Sequence, residues 1–136
     1  MAEHCASCQC GGLTLKIGKD PEFGVLCNCT LCQMRGGGPF GVGYYVQQRH
    51  CQTVGPYETW GRPADTGRMV VNHFCPTCGT TVYWTLEMRP GYVGVALGTF
   101  KDKPPMPDRA IWAQEAHDWM VFPEEMPVFQ KATPKT

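Results

Sequence analysis

The chain has 136 residues, with 12 basic and 12 acidic side chains and a formal net charge of zero. This balance argues against an electrostatic grip on nucleic acid or on an anionic membrane surface. No apolar run approaches the roughly 18 residues of a membrane span, and the N-terminus lacks a signal-peptide pattern, so we expect a cytoplasmic protein. The nine cysteines are an odd number, which favours metal binding over a disulfide framework.

Glycine and proline punctuate the whole chain, which leaves little room for long helices and favours short strands joined by turns. Alternation of apolar and polar residues predicts strands at residues 13–17, 40–46, 69–74, 81–86 and 92–97. One short helical turn is predicted at 30–35, before a run of glycines, and the proline-rich segment 101–109 is predicted to be a surface loop. The aromatic residues beyond it are expected to pack back onto the sheet. The pattern predicts a single mostly β domain over residues 1–136, with a free tail at 131–136.

Two pairs of cysteines have the spacing of a structural zinc site. Cys75 and Cys78 form a CxxC followed by glycine, which suits a tight turn whose amides point at the sulfurs. Cys8 and Cys10 are their natural partners, because the remaining cluster has an odd number of cysteines. Zinc held by these four thiolates would close a long loop, so its binding energy would be folding energy. The alternative is that Cys8 or Cys10 is merely buried and that the metal takes another set, such as Cys5 with Cys8.

Cys27, Cys29 and Cys32 form a cluster of a different kind. Three ligands this close in sequence can grip one face of a zinc ion and leave the fourth position open for substrate. Three thiolates leave such a site formally at −1, which suits the holding of an added thiol as thiolate better than the making of hydroxide. We therefore expect chemistry at a metal-bound sulfur on a second, more labile zinc. The alternative is a closed site whose fourth ligand is Cys51, His50 or His73.

Two further features have two interpretations each. Arg35 lies close behind the three cysteines and could meet a substrate carboxylate with two hydrogen bonds, or it could be an exposed, solvated side chain. Trp112 and Trp119 could wall a pocket or pack in the core. The arginines form no run along the chain, so we predict no nucleic-acid surface.

The chain thus carries, in order, a CxC, a CxCxxC and an FCxxCG motif. The stretches concerned are residues 8–12, 27–32 followed by 38–40, and 74–80, with a later match at 97–99 and 111–112. This order resembles the glutathione-dependent formaldehyde-activating enzyme family, which also includes centromere-protein-V-type proteins. The resemblance covers about residues 5–127.

The resemblance implies a β-tent fold, with several short coiled antiparallel sheets and very little helix. It implies two zinc ions per chain: a structural one held by Cys8, Cys10, Cys75 and Cys78, and a second, catalytic one held by Cys27, Cys29 and Cys32. The family's reaction is a carbon–sulfur lyase step that joins formaldehyde and glutathione as S-hydroxymethylglutathione, or its reverse. We therefore predict a zinc-dependent lyase whose partners are a small thiol such as glutathione and a small aldehyde. The alternative is a non-catalytic zinc-binding module that carries a thiol adduct or binds a protein partner.

Overall fold

Short strands account for most of the regular structure. The computed structural model describes residues 3–134, and within that range it contains ten strands, one α-helix and three turns of 3₁₀ helix. The strands are β1 (His4–Ser7), β2 (Thr14–Ile17), β3 (Phe23–Cys27), β4 (Gly41–Gln47), β5 (Cys51–Val54), β6 (Glu58–Pro63), β7 (Met69–Phe74), β8 (Thr81–Leu86), β9 (Tyr92–Ala96) and β10 (Arg109–Ile111). The helix, α1, spans Thr30–Gly36, and the 3₁₀ turns span Gln48–His50, Leu97–Thr99 and Ala113–Glu115. The predicted mostly β class of the β-tent kind, with very little helix, is confirmed.

The strands form two open sheets. A three-stranded sheet has the order β1-β2-β5, and a seven-stranded sheet has the order β10-β3-β4-β9-β8-β7-β6. In the larger sheet β10 runs parallel to β3, while the other neighbours are antiparallel. The β3–β4 register pairs Cys27 with Gly41, and an irregularity of the β7–β8 ladder between His73 and Phe74 comes just before Cys75. Each cysteine cluster therefore has one member at the end of a strand of this sheet.

The core lies between the two sheets. Leu15 and Ile17 from the small sheet pack in one buried cluster with Val46, Val93 and Val95 from the large sheet. Successive side chains of a strand point to opposite faces, so the odd-numbered residues of β4 lie on the other face of the large sheet. That second face carries the cluster that begins at Cys27.

The five strands predicted from alternation are all present, with bounds within one residue of the prediction, and α1 extends the predicted helical turn by one residue. Sequence alternation did not indicate β1, β3, β5, β6 or β10. β6 is an exposed edge strand containing glycine and proline, and β10 has three residues. Such strands are formed by pairing with their neighbours, which a local pattern does not reveal.

The C-terminal segment packs on β10 through backbone pairing. Ala110 donates to the carbonyl of Pro127, and Phe129 donates to the carbonyl of Ala110. Met126 is buried, but Trp119 is 67% exposed and stacks on His117, so the expectation that Trp119 packs on the sheet is wrong. Of the tail predicted at 131–136, residues 135 and 136 lie outside the described residues. No helix within residues 3–134 combines the length and the apolar character that a membrane crossing needs.

Candidate metal centre

The first cluster brings together Cys8, Cys10, Cys75 and Cys78, whose sulfur atoms all lie within 4.8 Å of one another. The Cys8–Cys10 and Cys10–Cys75 sulfur pairs are each 3.7 Å apart. Four sulfurs placed tetrahedrally about 2.3 Å from a zinc ion would be about 3.8 Å apart. Cys5 lies outside this set, so the geometry groups the four cysteines that the sequence paired.

Backbone turns hold the four sulfurs in place. Gly79 has a φ of 80°, and its N–H donates to the carbonyl of Cys75 across a tight turn. The N–H of Leu13 donates to Cys8 Sγ at 3.1 Å. A hydrogen bond with the Thr80 hydroxyl lowers the pKa of Cys78. N–H and O–H donors that face a sulfur favour its thiolate form, which is the form that binds metals.

The second cluster comprises Cys27, Cys29 and Cys32, whose sulfurs also lie within 4.8 Å of one another. Cys27 ends β3, and Cys29 is the N-cap of α1, where its sulfur accepts the backbone N–H of Cys32 at 3.3 Å. The strand end and the first helical turn thus fold the CxCxxC segment so that its three sulfurs converge. Gly37 ends the helix in the left-handed conformation, with a φ of 69°.

Hydrogen bonds to residues distant in sequence hold the CxCxxC segment in place. Asn28 is fully buried, and both its backbone N–H and its side-chain amide donate to the carbonyl of Ile111. Gln33 donates to the carbonyl of Asn28 at 2.8 Å and to that of Glu115 at 3.1 Å. The carboxylate of Glu115 accepts both the N–H and the hydroxyl of Thr30. Sequence reasoning missed Asn28, Gln33 and Glu115, because no spacing rule connects residues about 80 positions apart.

No fourth His, Cys, Asp or Glu of residues 3–134 joins the second cluster. The three residues considered as closing ligands are engaged elsewhere or lie outside the set. Cys51 Sγ faces the carbonyl of Gln47 at 3.8 Å, and the ring of His73 stacks on Tyr83 with centroids 4.4 Å apart. His50 Nε2 is buried without a hydrogen-bond partner. Within the described residues the cluster therefore consists of three protein sulfurs.

Positive charge faces the three thiols. Hydrogen bonds from Cys27 and then Cys32, with the charge of Arg62 as a smaller contribution, lower the pKa of Cys29. The shared hydrogen bond with Cys29 raises the pKa of Cys27. Arg35 Nη1 lies 4.0 Å from Cys32 Sγ. Hydrogen bonding within the cluster therefore favours the thiolate form of Cys29, and Arg35 lies beside the Cys32 sulfur.

Arg35 stacks on Trp84, and the ring of Trp84 packs against two glycines. Its guanidinium carbon lies 3.7 Å from the ring centroid of Trp84, whose Nε1–H donates to the Tyr45 hydroxyl. A Cβ atom at Gly94 would lie 2.6 Å from Trp84 Cε2, and one at Gly43 would overlap the same ring. The ring therefore lies flat on the part of β4 and β9 where the sheet has no side chains. We did not predict this packing of Trp84 from the sequence; the signal that could have indicated it is a glycine in each of two neighbouring strands, Gly43 in β4 and Gly94 in β9.

The geometry defines a class of protein: a mostly β domain with two cysteine clusters that could hold metal ions. A family model described as glutathione-dependent formaldehyde-activating enzyme matches residues 3–119. The chain therefore belongs to the glutathione-dependent formaldehyde-activating enzyme family, as its three cysteine motifs indicated.

Comparison with individual proteins adds to the evidence on the fold. No curated protein matches the chain by sequence. The crystal structure of a Rhodobacter sphaeroides protein is similar, with a TM-score of 0.56 and 18% sequence identity over 74% of this chain and 91% of that chain. At this level of identity the likeness concerns the fold alone.

Proposed function

We propose that both cysteine clusters bind zinc and that the four-cysteine cluster is structural. The sulfur separations of 3.7 Å match a tetrahedral zinc–thiolate site, and four protein ligands leave no position for a substrate. The ligands Cys10 and Cys75 are 65 residues apart, so the ion would tie the turn after β1 to the turn after β7. We expect its binding energy to contribute to folding.

We further propose that the cluster of Cys27, Cys29 and Cys32 is the active site of a carbon–sulfur lyase. The observation that carries this proposal is the convergence of three thiols, joined by no fourth His, Cys, Asp or Glu from the described part of the chain, in a member of this family. In the proposed reaction the sulfur of a small thiol adds to the carbonyl carbon of formaldehyde. The carbonyl oxygen takes up one proton, which gives an S-hydroxymethyl adduct, and the reverse reaction breaks the same carbon–sulfur bond.

The residues around the cluster have distinct parts in this proposal. Cys27, Cys29 and Cys32 would hold the ion, which when bound supplies a Lewis acid that keeps an added thiol deprotonated at neutral pH. Arg35 and Arg62 offset the negative charge of the thiolates. Asn28 keeps the segment against β10, so that the three sulfurs stay converged.

The proposed metal sites require a reducing location. None of the nine cysteines is joined in a disulfide. Metal binding requires reduced thiolates, which the cytoplasm maintains. The proposed thiol partner is glutathione or a similar small thiol, because such thiols are the abundant ones in that compartment.

The lyase proposal is tested by comparing Cys29→Ser with the wild type. Each protein is loaded with zinc, and the rate of exchange between free formaldehyde and its glutathione adduct is measured by ¹³C NMR. Cys51→Ser is the matched control, because Cys51 belongs to neither cluster. We expect one bound zinc and only the spontaneous rate for Cys29→Ser, and two bound zinc ions and the wild-type rate for Cys51→Ser. A wild-type rate no faster than the spontaneous one would refute catalysis and favour the non-catalytic module.

A further inference from the structure

A cavity of about 640 Å³ opens beside the end of α1. Its walls include Arg35 and Gly36 at one side, and Cys78 and Thr80 of the four-cysteine turn at another. Gly98 also lines it, and a Cβ atom at Gly36 or Gly98 would meet nothing within 4 Å. Arg35 Nη1 lies 4.0 Å from Cys32 Sγ, and Gly41, which also lines the cavity, pairs with Cys27, so the cavity adjoins the second cluster.

Arg35 is a half-buried cation that forms no ion pair with any acidic side chain of the described residues. The two ion pairs among residues 3–134 are both made by His4, and Arg35 takes part in neither. Its contacts are the Trp84 ring beneath it and the Cys32 sulfur 4.0 Å from Nη1. Stacking engages the face of a guanidinium and leaves the N–H donors at its edge for hydrogen bonds. A half-buried arginine in this state can bind a planar anion.

The charges around the cavity determine where an anionic group would bind. Arg35 is the one cationic side chain among its lining residues, none of which is Asp, Glu or Lys. Thr80, Thr81 and Thr99 add hydroxyl groups to the wall. Four thiolates around a divalent ion would carry a net charge of −2 near Cys78, and three thiolates with an added substrate thiolate would carry the same charge at the second cluster, so Arg35 is the feature that attracts an anion. A ligand with one carboxylate would therefore place it at the Arg35 end, next to the second cluster.

We infer that this cavity binds the carboxylate-bearing part of the thiol substrate, and that Arg35 donates two parallel hydrogen bonds to that carboxylate. The inference rests on the proposed function, because it requires the substrate sulfur to bind at Cys27, Cys29 and Cys32. The substrate class that follows is thiols with a carboxylate a few bonds from the sulfur. Neutral thiols of the same size would bind at the sulfur alone.

The test compares 3-mercaptopropionate with 3-mercaptopropionamide, which differ in charge and hardly in shape. Their dissociation constants for the zinc-loaded protein are measured by isothermal titration calorimetry. A charge-assisted pair predicts that the wild type binds the acid about tenfold to a hundredfold more tightly than the amide. In Arg35→Gln we expect this ratio to fall to about one. Loss of the positive charge beside Cys32 would change the affinity for both thiols alike, so the ratio is the quantity compared. Arg68→Gln, a change at an exposed arginine outside the cavity, should keep the wild-type ratio.

Each other result contradicts a defined part of the inference. Equal affinity of the wild type for the two thiols, or a full preference for the acid in Arg35→Gln, overturns the role of Arg35. A wild type that binds neither thiol overturns the inference together with the proposed function. A preference for the acid without any acceleration of adduct exchange refutes the lyase alone and supports the binding site.

Arg35→Lys provides a second variant that keeps the positive charge beside the cysteines. Lysine cannot donate the paired hydrogen bonds of a guanidinium, so we expect at least a threefold loss of the preference for the acid. An undiminished preference in Arg35→Lys would overturn the assignment of two hydrogen bonds. Circular dichroism and zinc content of each variant establish that the fold and the metal sites are retained.

Discussion

The close packing of Trp84 on Gly43 and Gly94 predicts that a larger residue at either glycine destabilises the fold. In Gly94→Ala the new methyl group would lie 2.6 Å from Trp84 Cε2 and 3.0 Å from Tyr45 Cε1. Carbon atoms in contact are normally about 3.5 Å apart or more, so the indole ring must move by about 1 Å. Trp84 is 3% exposed and has Arg35 stacked on its ring, so there is little space for that movement.

Overpacking of this kind costs about 1–3 kcal/mol in the free energy of unfolding. For a domain of this size, that corresponds to a fall in Tm of about 4–12 °C. The assay is urea unfolding of the zinc-loaded protein under reducing conditions, followed by circular dichroism. Gly43→Ala should behave similarly, because its methyl group would overlap the same ring from the neighbouring strand.

Gly61→Ala is the matched control within a strand. The nearest atom to a Cβ at Gly61 is the flexible end of Met69, at 3.0 Å, and Gly61 is exposed. Replacement of a strand glycine by alanine also restricts the unfolded chain, which by itself stabilises by about 0.5–1 kcal/mol. The quantity compared is therefore the difference between Gly94→Ala and Gly61→Ala. A difference below about 0.5 kcal/mol would refute the tight placement of Trp84 on the sheet.

Three further predictions concern the supports of the two sites. Asn28→Ala removes the side-chain hydrogen bond to Ile111 and should weaken zinc binding at the second cluster by about tenfold or more, measured by titration against a competing chelator; the four-cysteine site should keep its affinity. A hydrogen bond to Asp20, with a second to Asp102, raises the pKa of His4 above its ordinary 6.5. The contribution of His4 to stability should thus be complete below pH 6.5 and disappear as the pH rises through the raised pKa. Relative to His4→Gln, the free energy of unfolding of the wild type should be higher by about 1 kcal/mol or less at pH 6 and equal at pH 9. An added chelator should first remove the zinc of the three-cysteine cluster, with a small change in Tm, and later that of the four-cysteine cluster, with a large change in Tm. The four-cysteine cluster should hold its zinc longer because it has four ligands and closes a loop of 65 residues. Simultaneous release would contradict this order.

Five strands could be predicted because each is a short run rich in apolar, aromatic or β-branched residues with turn residues near its ends. In β7, half-buried and buried positions alternate over the first four residues, and its limits were predicted correctly. β3 has the sequence FGVLC, which contains no polar side chain, so alternation of apolar and polar residues could not reveal it. β10 is a strand because it lies beside β3, and its three residues carry no local signal of their own.

The cysteine clusters could be predicted because metal ligation constrains the spacing of ligands along the chain. A turn such as Cys75–Cys78 has to bring two sulfurs to one point, and the CxxC spacing records that requirement. No comparable rule ties Arg62 on β6 to Cys29, or Glu115 to Thr30, since their proximity depends on how the sheet and the C-terminal segment fold. Sequence thus indicated the ligands of the candidate metal centre and missed most of its surroundings.

The position of Arg35 depends on tertiary contacts that the sequence alone does not reveal. In the sequence, an arginine three residues after a cysteine is as easily a solvated surface group as a binding group. Its placement depends on Trp84 in β8, which in turn depends on glycines of β4 and β9 that leave the face of the sheet bare. A side chain larger than hydrogen at Gly43 or Gly94 would lift the ring and with it the guanidinium. The position of the cation beside the second cluster is therefore set by three strands, of which β8 and β9 are far from it in sequence. Substitutions of those glycines should alter the acid-to-amide preference as well as the stability.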